Sequence, residues 1–335
     1  MARESIIPVF VPHLGCPNDC VFCNQRRISG HQQPATAETV REAIEKADAV
    51  LPKEGRRQLA FYGGSFTAIP LPQQLTLLEA AKEYKRRGLI DSIRLSTRPD
   101  AIDGEILRRL ESYGVETIEL GAQSLDDKVL LLSGRGHTAD DVENASGLIK
   151  ERGFRLILQM MTGLPGDTME TSIETAKRII SLRPDGVRIY PTVIVKDTAL
   201  YDLWQNGCYK EHTVEEAVLW CAKLLPLFRE AGIPVIRLGL NPTDDLSGGD
   251  AAGGAYHPAL GELVKSRILF EKAEALLQDT TPGSSVLLTV GKGKTSQMTG
   301  QHRQNINALK EQYHLSSIRV QEDALPDDSV TVSIL

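Results

Sequence analysis

The sequence predicts an α/β chain: a barrel-type core of parallel strands alternating with helices, followed by a small α/β appendage. Three observations predict it. Short apolar runs alternate with stretches of helical periodicity from residue 6 to residue 190, and such alternation builds parallel strands joined by right-handed crossovers. The 335 residues are too many for one ordinary compact domain and fit a barrel plus an appendage. Finally, the cysteine-, glycine- and polar-rich stretches fall after strand-like runs, where the functional loops of parallel barrels gather.

The elements follow in order. Ile6-Ile7-Pro8-Val9-Phe10-Val11-Pro12 reads as a buried first strand, and the cysteine-rich loop follows its C-terminal end. From Ala35 to Val50, Val40, Ala43, Ile44 and Ala47 are spaced for one helix face, with Thr36 or Thr39 as cap. Gln58–Tyr62 is the second strand, ending in Gly63-Gly64-Ser65-Phe66. A helix over 72–86, the strand Ser92–Ser96, a helix over 104–112 and the strand Thr117–Gly121 come next. A helix over 139–152, the strand Arg155–Gln159, a helix over 169–181 and the strand Gly186–Tyr190 complete six strands. Beyond Val195 the pattern changes: a helix over 213–230, a strand over 234–238, then the glycine-rich run Ser247–Gly254, read as a lid or binding loop. A helix over 259–277 leads to a tail that reads strand, helix, strand, strand. The expected division is therefore a core at 1–245, a lid and helix at 246–279, and a small α/β module at 280–335.

Composition excludes several classes. With 38 Lys+Arg against 44 Asp+Glu, the chain as a whole is not a basic nucleic-acid binder, although a local patch is compatible with that balance. No apolar run is long enough to span a bilayer, and Met1-Ala2-Arg3-Glu4-Ser5 is not a secretory signal. Five cysteines, odd in number and mostly clustered, argue against a disulfide framework and for a cytoplasmic location with no membrane partner.

Three of those cysteines stand within eight residues, Cys16-x3-Cys20-x2-Cys23. The spacing lets the loop curl so that three thiolates face one centre, and thiolates are soft ligands suited to iron–sulfur clusters or zinc. A cubane cluster has four irons, so three protein ligands leave one iron open to a small molecule. A structural zinc would want a fourth ligand, with Cys208 or a histidine the available donors. On this loop alone both readings stand.

The loop, with its aromatic Phe22, resembles the cluster loop of the radical S-adenosylmethionine superfamily. Gly63-Gly64-Ser65-Phe66, Thr97-Arg98-Pro99-Asp100, Glu119–Ser124, Arg135-Gly136-His137-Thr138, Ile189-Tyr190-Pro191-Thr192 and Leu200–Trp204, with Tyr209-Lys210 just after, occur in that order. The ordered set is similar to the radical domain of the Elongator catalytic subunit family, over residues 6–270; the anaerobic coproporphyrinogen oxidase family shares a looser version. The resemblance implies a partial (β/α)6 TIM-like barrel. It implies a 4Fe-4S cluster held by Cys16, Cys20 and Cys23, S-adenosylmethionine on the open iron, and a reducing electron donor. It further implies a 5′-deoxyadenosyl radical that takes hydrogen from a substrate, with the wobble uridine of tRNA as candidate.

By motif position the resemblance assigns cofactor contacts to Gly63, Gly64, Ser65, Ser96, Gln123, Arg135 and Gln159, and no catalytic residue. The glycine pair lets backbone approach the methionine moiety, and an arginine fork suits a carboxylate. Relatives carry an acid where Ser96 stands, and Asp or His where Gln159 stands. Arg98 and Asp100 are read as pairing with each other or capping a helix, and Cys208 and Cys221 as structural thiols. His137 and His257 are weighed as site contacts against satisfied structural histidines. The tail segment Gly300–Ile306 loosely resembles a KH nucleotide-gripping loop, with Arg303 where a glycine is needed. Two departures matter: the Elongator subunit has a longer gap between its first two cysteines, and its acetyltransferase domain has no counterpart in residues 280–335. Two alternatives stand beside the RNA reading: the same chemistry on a small molecule such as a porphyrin-like metabolite, and a metal-binding protein without catalysis.

Overall fold

The structure is a computed structural model that describes residues 4–11, 20–24, 34–52, 54–240 and 246–335. In chain order the elements of the first part are β1 (Glu4–Phe10), α1 (Ala37–Val50), β2 (Arg56–Tyr62), α2 (Leu71–Arg86), β3 (Ser92–Thr97), α3 (Gly104–Ser112) and β4 (Val115–Gln123). Next come α4 (Asp127–Leu132), α5 (Ala139–Glu151), β5 (Arg155–Thr162), α6 (Met169–Ser181), β6 (Gly186–Pro191), β7 (Val193–Val195) and α7 (Ala199–Gln205). They are followed by α8 (Val214–Glu230), β8 (Val235–Leu238) and β9 (Ala251–Gly254), then α9 (Leu260–Leu277), β10 (Ser285–Gly291), α10 (Thr295–Thr299), α11 (Gln304–Gln312), β11 (Ser317–Asp323) and β12 (Val330–Ile334).

Contacts divide the chain into two units: residues 1–213 with 224–256, and residues 214–223 with 257–335. The first holds a parallel sheet in the order β1-β2-β3-β4-β5-β6-β8, the α/β half-barrel whose parallel strands the alternation predicts. β8 extends the six expected strands by one, pairing parallel with β6.

The strands alternate in the barrel sense. In β2, Leu59 and Phe61 turn toward the helices and are fully buried, where each such side chain is worth about 1.5–3 kcal/mol; Phe61 stacks on Phe66 at 4.8 Å between centroids. Gln58 faces the other way, donating to Ser92 and Thr117 on β3 and β4. The helices start where their caps say. Thr36, Thr138 and Thr168 each close a capping box at the head of α1, α5 and α6, satisfying backbone donors that the first turn leaves open.

Two expectations are corrected by the backbone. The second half of the glycine-rich run is not a free loop: β9 pairs antiparallel with β7. Gly254 has φ +81°, and a Cβ there would meet the Thr192 carbonyl oxygen at 2.6 Å, so only glycine completes that pairing. The tail holds two helices rather than one between its first two strands, α10 and α11, separated at Gly300–Arg303.

In the second unit β10 is central, parallel to β11 and antiparallel to β12. Leu269, Ala273 and Leu277 of α9 pack with Val286, Leu288 and Leu309 into its own core. Among the described residues no helix is long and apolar enough to cross a membrane.

Candidate active site

The chain segments that follow β2, β3 and β4 are linked by hydrogen bonds that end at Cys20. Cys16 lies outside the described residues. From Cys20 the chain makes a turn closed by the Cys23 amide donating to the Cys20 carbonyl at 3.0 Å. Two backbone hydrogen bonds hold this turn in place: Val21 N donates to Ser133 O at 3.1 Å, and Leu200 N donates to Val21 O at 2.7 Å. Val21 and Phe22 pack against Ile194, Leu200 and Tyr209. The segment around Leu200–Tyr209, a motif whose role the sequence leaves open, is thus the apolar seat of the cysteine loop. Cys20 is buried and Cys23 half-buried.

Arg135 faces Cys20. Its Nη1 donates to Cys20 Sγ at 3.2 Å and its Nη2 to Gly121 O at 2.7 Å. The turn after α4 carries it there. Its amide donates to Leu130 O, and it stands between Gly134 (φ +64°) and Gly136 (φ +70°), a left-handed pair that side chains rarely adopt. Arg98 braces the same turn: its Nη2 donates to Arg135 O at 2.8 Å, while two nitrogens grip Asp100 at 2.9 Å each. The expected Arg98–Asp100 pair is present and also supports Arg135. Arg98 N in turn donates to Ser65 Oγ at 3.0 Å. Ser65, Arg98, Arg135 and Cys20 therefore form one hydrogen-bonded chain that joins the loops after β2, β3, β4 and β1.

The remaining sequence-predicted residues fall in two groups. Gly63, with φ +91°, and Gly64 open the β2 loop beside Ser65. Gln123 ends β4 at φ +67°, a strained conformation for a non-glycine residue, with its Oε1 buried and lacking a hydrogen-bond partner. Gly121 makes room for it: a Cβ there would stand 3.0 Å from Gln123 Nε2 and 3.3 Å from Arg135 Nη2. Ser96 and Gln159 are turned elsewhere. Ser96 makes only a long contact to Phe61 O, at 3.4 Å. Gln159 Nε2 donates to Glu119 Oε2 at 2.9 Å.

Glu119 is a residue that sequence reasoning passed over, although it stands in one of the motifs. It is fully buried in the strand β4 and accepts from Arg94 Nη1 at 2.9 Å, Tyr62 Oη at 2.9 Å, Gln159 Nε2 at 2.9 Å and Arg188 Nη2 at 3.0 Å. Burial raises its pKa, but Arg188 and Arg94 outweigh that and hold it below the usual carboxylate range. Burial, reinforced by Glu119, raises the pKa of Tyr62, which stays a neutral donor. The signal available in sequence was the interior parity of Tyr62, Arg94, Glu119, Gln159 and Arg188 on successive strands.

His137, a candidate contact, is buried and bonds Ala122 O through Nε2 at 3.2 Å. Burial and then the Arg135 charge push its pKa down to about 4, so it is neutral at pH 7, and its bond to Ala122 is a structural one. Tyr209 Oη donates to Gly163 O at 2.6 Å, and the His212 ring fills the space a side chain at Gly163 would need.

Two of the three clustered thiols, Cys20 and Cys23, lie among the described residues. Among the described residues no three His, Cys, Asp or Glu side chains could hold a metal ion; the third clustered thiol, Cys16, lies outside them. The chemistry of the donors fits an iron–sulfur group: soft sulfur ligands, one of them buried and in contact with a guanidinium.

Comparison with known proteins agrees with the geometry. The family model described as Radical SAM superfamily matches residues 10–179, and one described as Radical_SAM C-terminal domain matches residues 184–269. A tRNA uridine(34) acetyltransferase of Methanocaldococcus infernus is 27% identical over 246 residues, covering 63% of this chain and 46% of that protein. Elongator complex protein 3 of Homo sapiens is 35% identical over 156 residues, covering 45% of this chain and 28% of that protein. The chain thus spans less than half the length of these curated relatives. A solved structure of Methanocaldococcus infernus Elp3 lacking an N-terminal stretch superposes with a TM-score of 0.63 at 22% identity, over 82% of this chain and 64% of that one; that likeness carries the fold.

Proposed function

The chain belongs to the radical S-adenosylmethionine superfamily, and from that premise we propose that it is a radical enzyme acting on RNA, with tRNA as its substrate class. A 4Fe-4S cluster on Cys16, Cys20 and Cys23 supplies, when bound, the open iron and the electron that convert S-adenosylmethionine to methionine and a 5′-deoxyadenosyl radical. The chain's own residues do the rest. Val21 and Phe22 seat the cysteine turn on Ile194 and Leu200, so the ligands arrive pre-positioned. Gly63 and Gly64 carry no Cβ, which would let backbone approach a methionine moiety. Gln123 offers a buried acceptor without a partner, suited to an amino or hydroxyl donor of the cofactor. Glu119, neutralised by two arginines, gives the barrel interior a fixed polar layer.

The observation that carries the reading is the hydrogen-bonded chain from Ser65 through Arg98 and Arg135 to Cys20, which gathers four strand-end loops around one thiolate. The RNA assignment is supported by the name of a relative, a tRNA uridine(34) acetyltransferase 27% identical over 246 residues. Its test is binding of bulk tRNA to the anaerobically reconstituted chain at two salt concentrations, together with 5′-deoxyadenosine yield with and without that tRNA. The reading expects affinity that falls with salt and a yield that rises with tRNA. Absence of tRNA binding at low salt contradicts it.

A further inference from the structure

We propose that Arg135 is a positioning residue for the metal centre itself: its guanidinium hydrogen-bonds the Cys20 thiolate and raises the reduction potential of the cluster that Cys20 helps to hold. This rests on the reading above and departs from the sequence expectation, in which Arg135 grips a carboxylate of S-adenosylmethionine.

The geometry of the fork argues for the thiolate. Nη1 lies 3.2 Å from Cys20 Sγ, and Nη2 is held on Gly121 O at 2.7 Å. The two anchors take two nitrogens of one planar fork, an arrangement an arginine provides and a lysine ammonium does not. The side chain is 8% exposed, so the charge sits where solvent screens it little. Its backbone is fixed at both ends: the amide donates to Leu130 O and the carbonyl accepts from Arg98.

The cysteine turn is docked on the same loop. Val21 N bonds Ser133 O, two residues before Arg135, so the thiol and the guanidinium are tied to the same turn. Gly121 completes the device, because its missing side chain admits Nη2. Electrostatics then sets the direction. Reduction adds negative charge to the cluster and its thiolates, and an N–H···S bond from a buried cation stabilises that form more than the oxidised one.

The test uses the full-length chain reconstituted anaerobically with iron and sulfide, as wild type, Arg135→Gln and Arg135→Lys. Iron content, the cluster's midpoint potential in the absence of S-adenosylmethionine, and the affinity for S-adenosylmethionine are measured on each. The proposal expects all three proteins to load iron. It expects the Arg135→Gln cluster to be harder to reduce by roughly tenfold in the equilibrium, about 59 mV for a one-electron couple, with Arg135→Lys shifted in the same direction by less. Wild-type potentials in both variants, with only S-adenosylmethionine affinity weakened, overturn it in favour of the carboxylate role. Loss of iron from both variants also contradicts it, since assembly is assigned to the three thiolates. A wild-type chain that binds no cluster overturns this proposal together with the function it rests on, and that result is distinguishable from the other two.

Discussion

Gly121 shows how one absent methyl group shapes the site. A Cβ there would crowd Gln123 Nε2 at 3.0 Å and Arg135 Nη2 at 3.3 Å, and both side chains are buried with little space to retreat. Gly121→Ala is expected to cost about 1–3 kcal/mol in denaturant melts and to lower S-adenosylmethionine cleavage by roughly a hundredfold, the scale of a misplacement of about an ångström; cleavage at the wild-type rate would deny the site its reliance on that gap. His137 makes a second residue-scale prediction. Its folded pKa of about 4 lies below the ordinary 6.5. Above pH 6.5 it is neutral folded and unfolded and gives stability no pH dependence. As pH falls from 6.5 toward 4 the unfolded chain takes up a proton that the folded chain refuses, so stability drops, by up to about 3 kcal/mol. His137→Gln is expected to remove that slope when unfolding is followed across the same window; an unchanged slope would place the titration elsewhere. At this scale the sequence was informative for glycines and cysteines, whose special roles are local. It offered the Arg98–Asp100 pair but not the grip of Arg98 on Arg135, which spans 37 residues.

Among the elements, β4 carries the most. It delivers Glu119 to the barrel interior, where Arg94 and Arg188 reach it from β3 and β6, and it ends in the strained Gln123. The alternation of helix and strand that defines these elements was readable because each strand repeats its pattern within a few residues. The carboxylate network was not, because its members lie 25, 40, 57 and 69 residues from Glu119 and only strand register brings them together. Gln159 is the instructive case: motif position assigned it to the cofactor, while the register of β5 against β4 hands it to Glu119. Removing one member of such a network strands the others. Glu119→Ala leaves two buried guanidinium groups without their carboxylate and is expected to cost about 3–5 kcal/mol, measured as the fall in unfolding free energy; a loss below about 1 kcal/mol would show that water replaces the carboxylate. The glycine-rich run taught the opposite lesson. Its composition suggested a loop, but β7 supplies a partner strand, and backbone hydrogen bonding overrides composition.

For the molecule as a whole, the parallel strands were legible from alternation, and their closure into a partial barrel from the family resemblance. What stayed illegible was the seat of the cysteine turn, since the Leu200–Tyr209 segment reaches it from more than 170 residues away. The four described cysteines separate by environment. Cys20 stands beside Arg135, whereas Cys221 is fully buried with its thiol pushed up to about 12, the mark of an inert structural group. The account therefore turns on Cys20. The measurement that tests it most directly is 5′-deoxyadenosine released from S-adenosylmethionine by the anaerobically reconstituted, dithionite-reduced chain, in wild type, Cys20→Ala and Cys221→Ala. The account predicts product from wild type and Cys221→Ala, and neither cluster nor product from Cys20→Ala. An iron-loaded wild type that yields no 5′-deoxyadenosine, or a Cys20→Ala chain that yields as much as wild type, would contradict it.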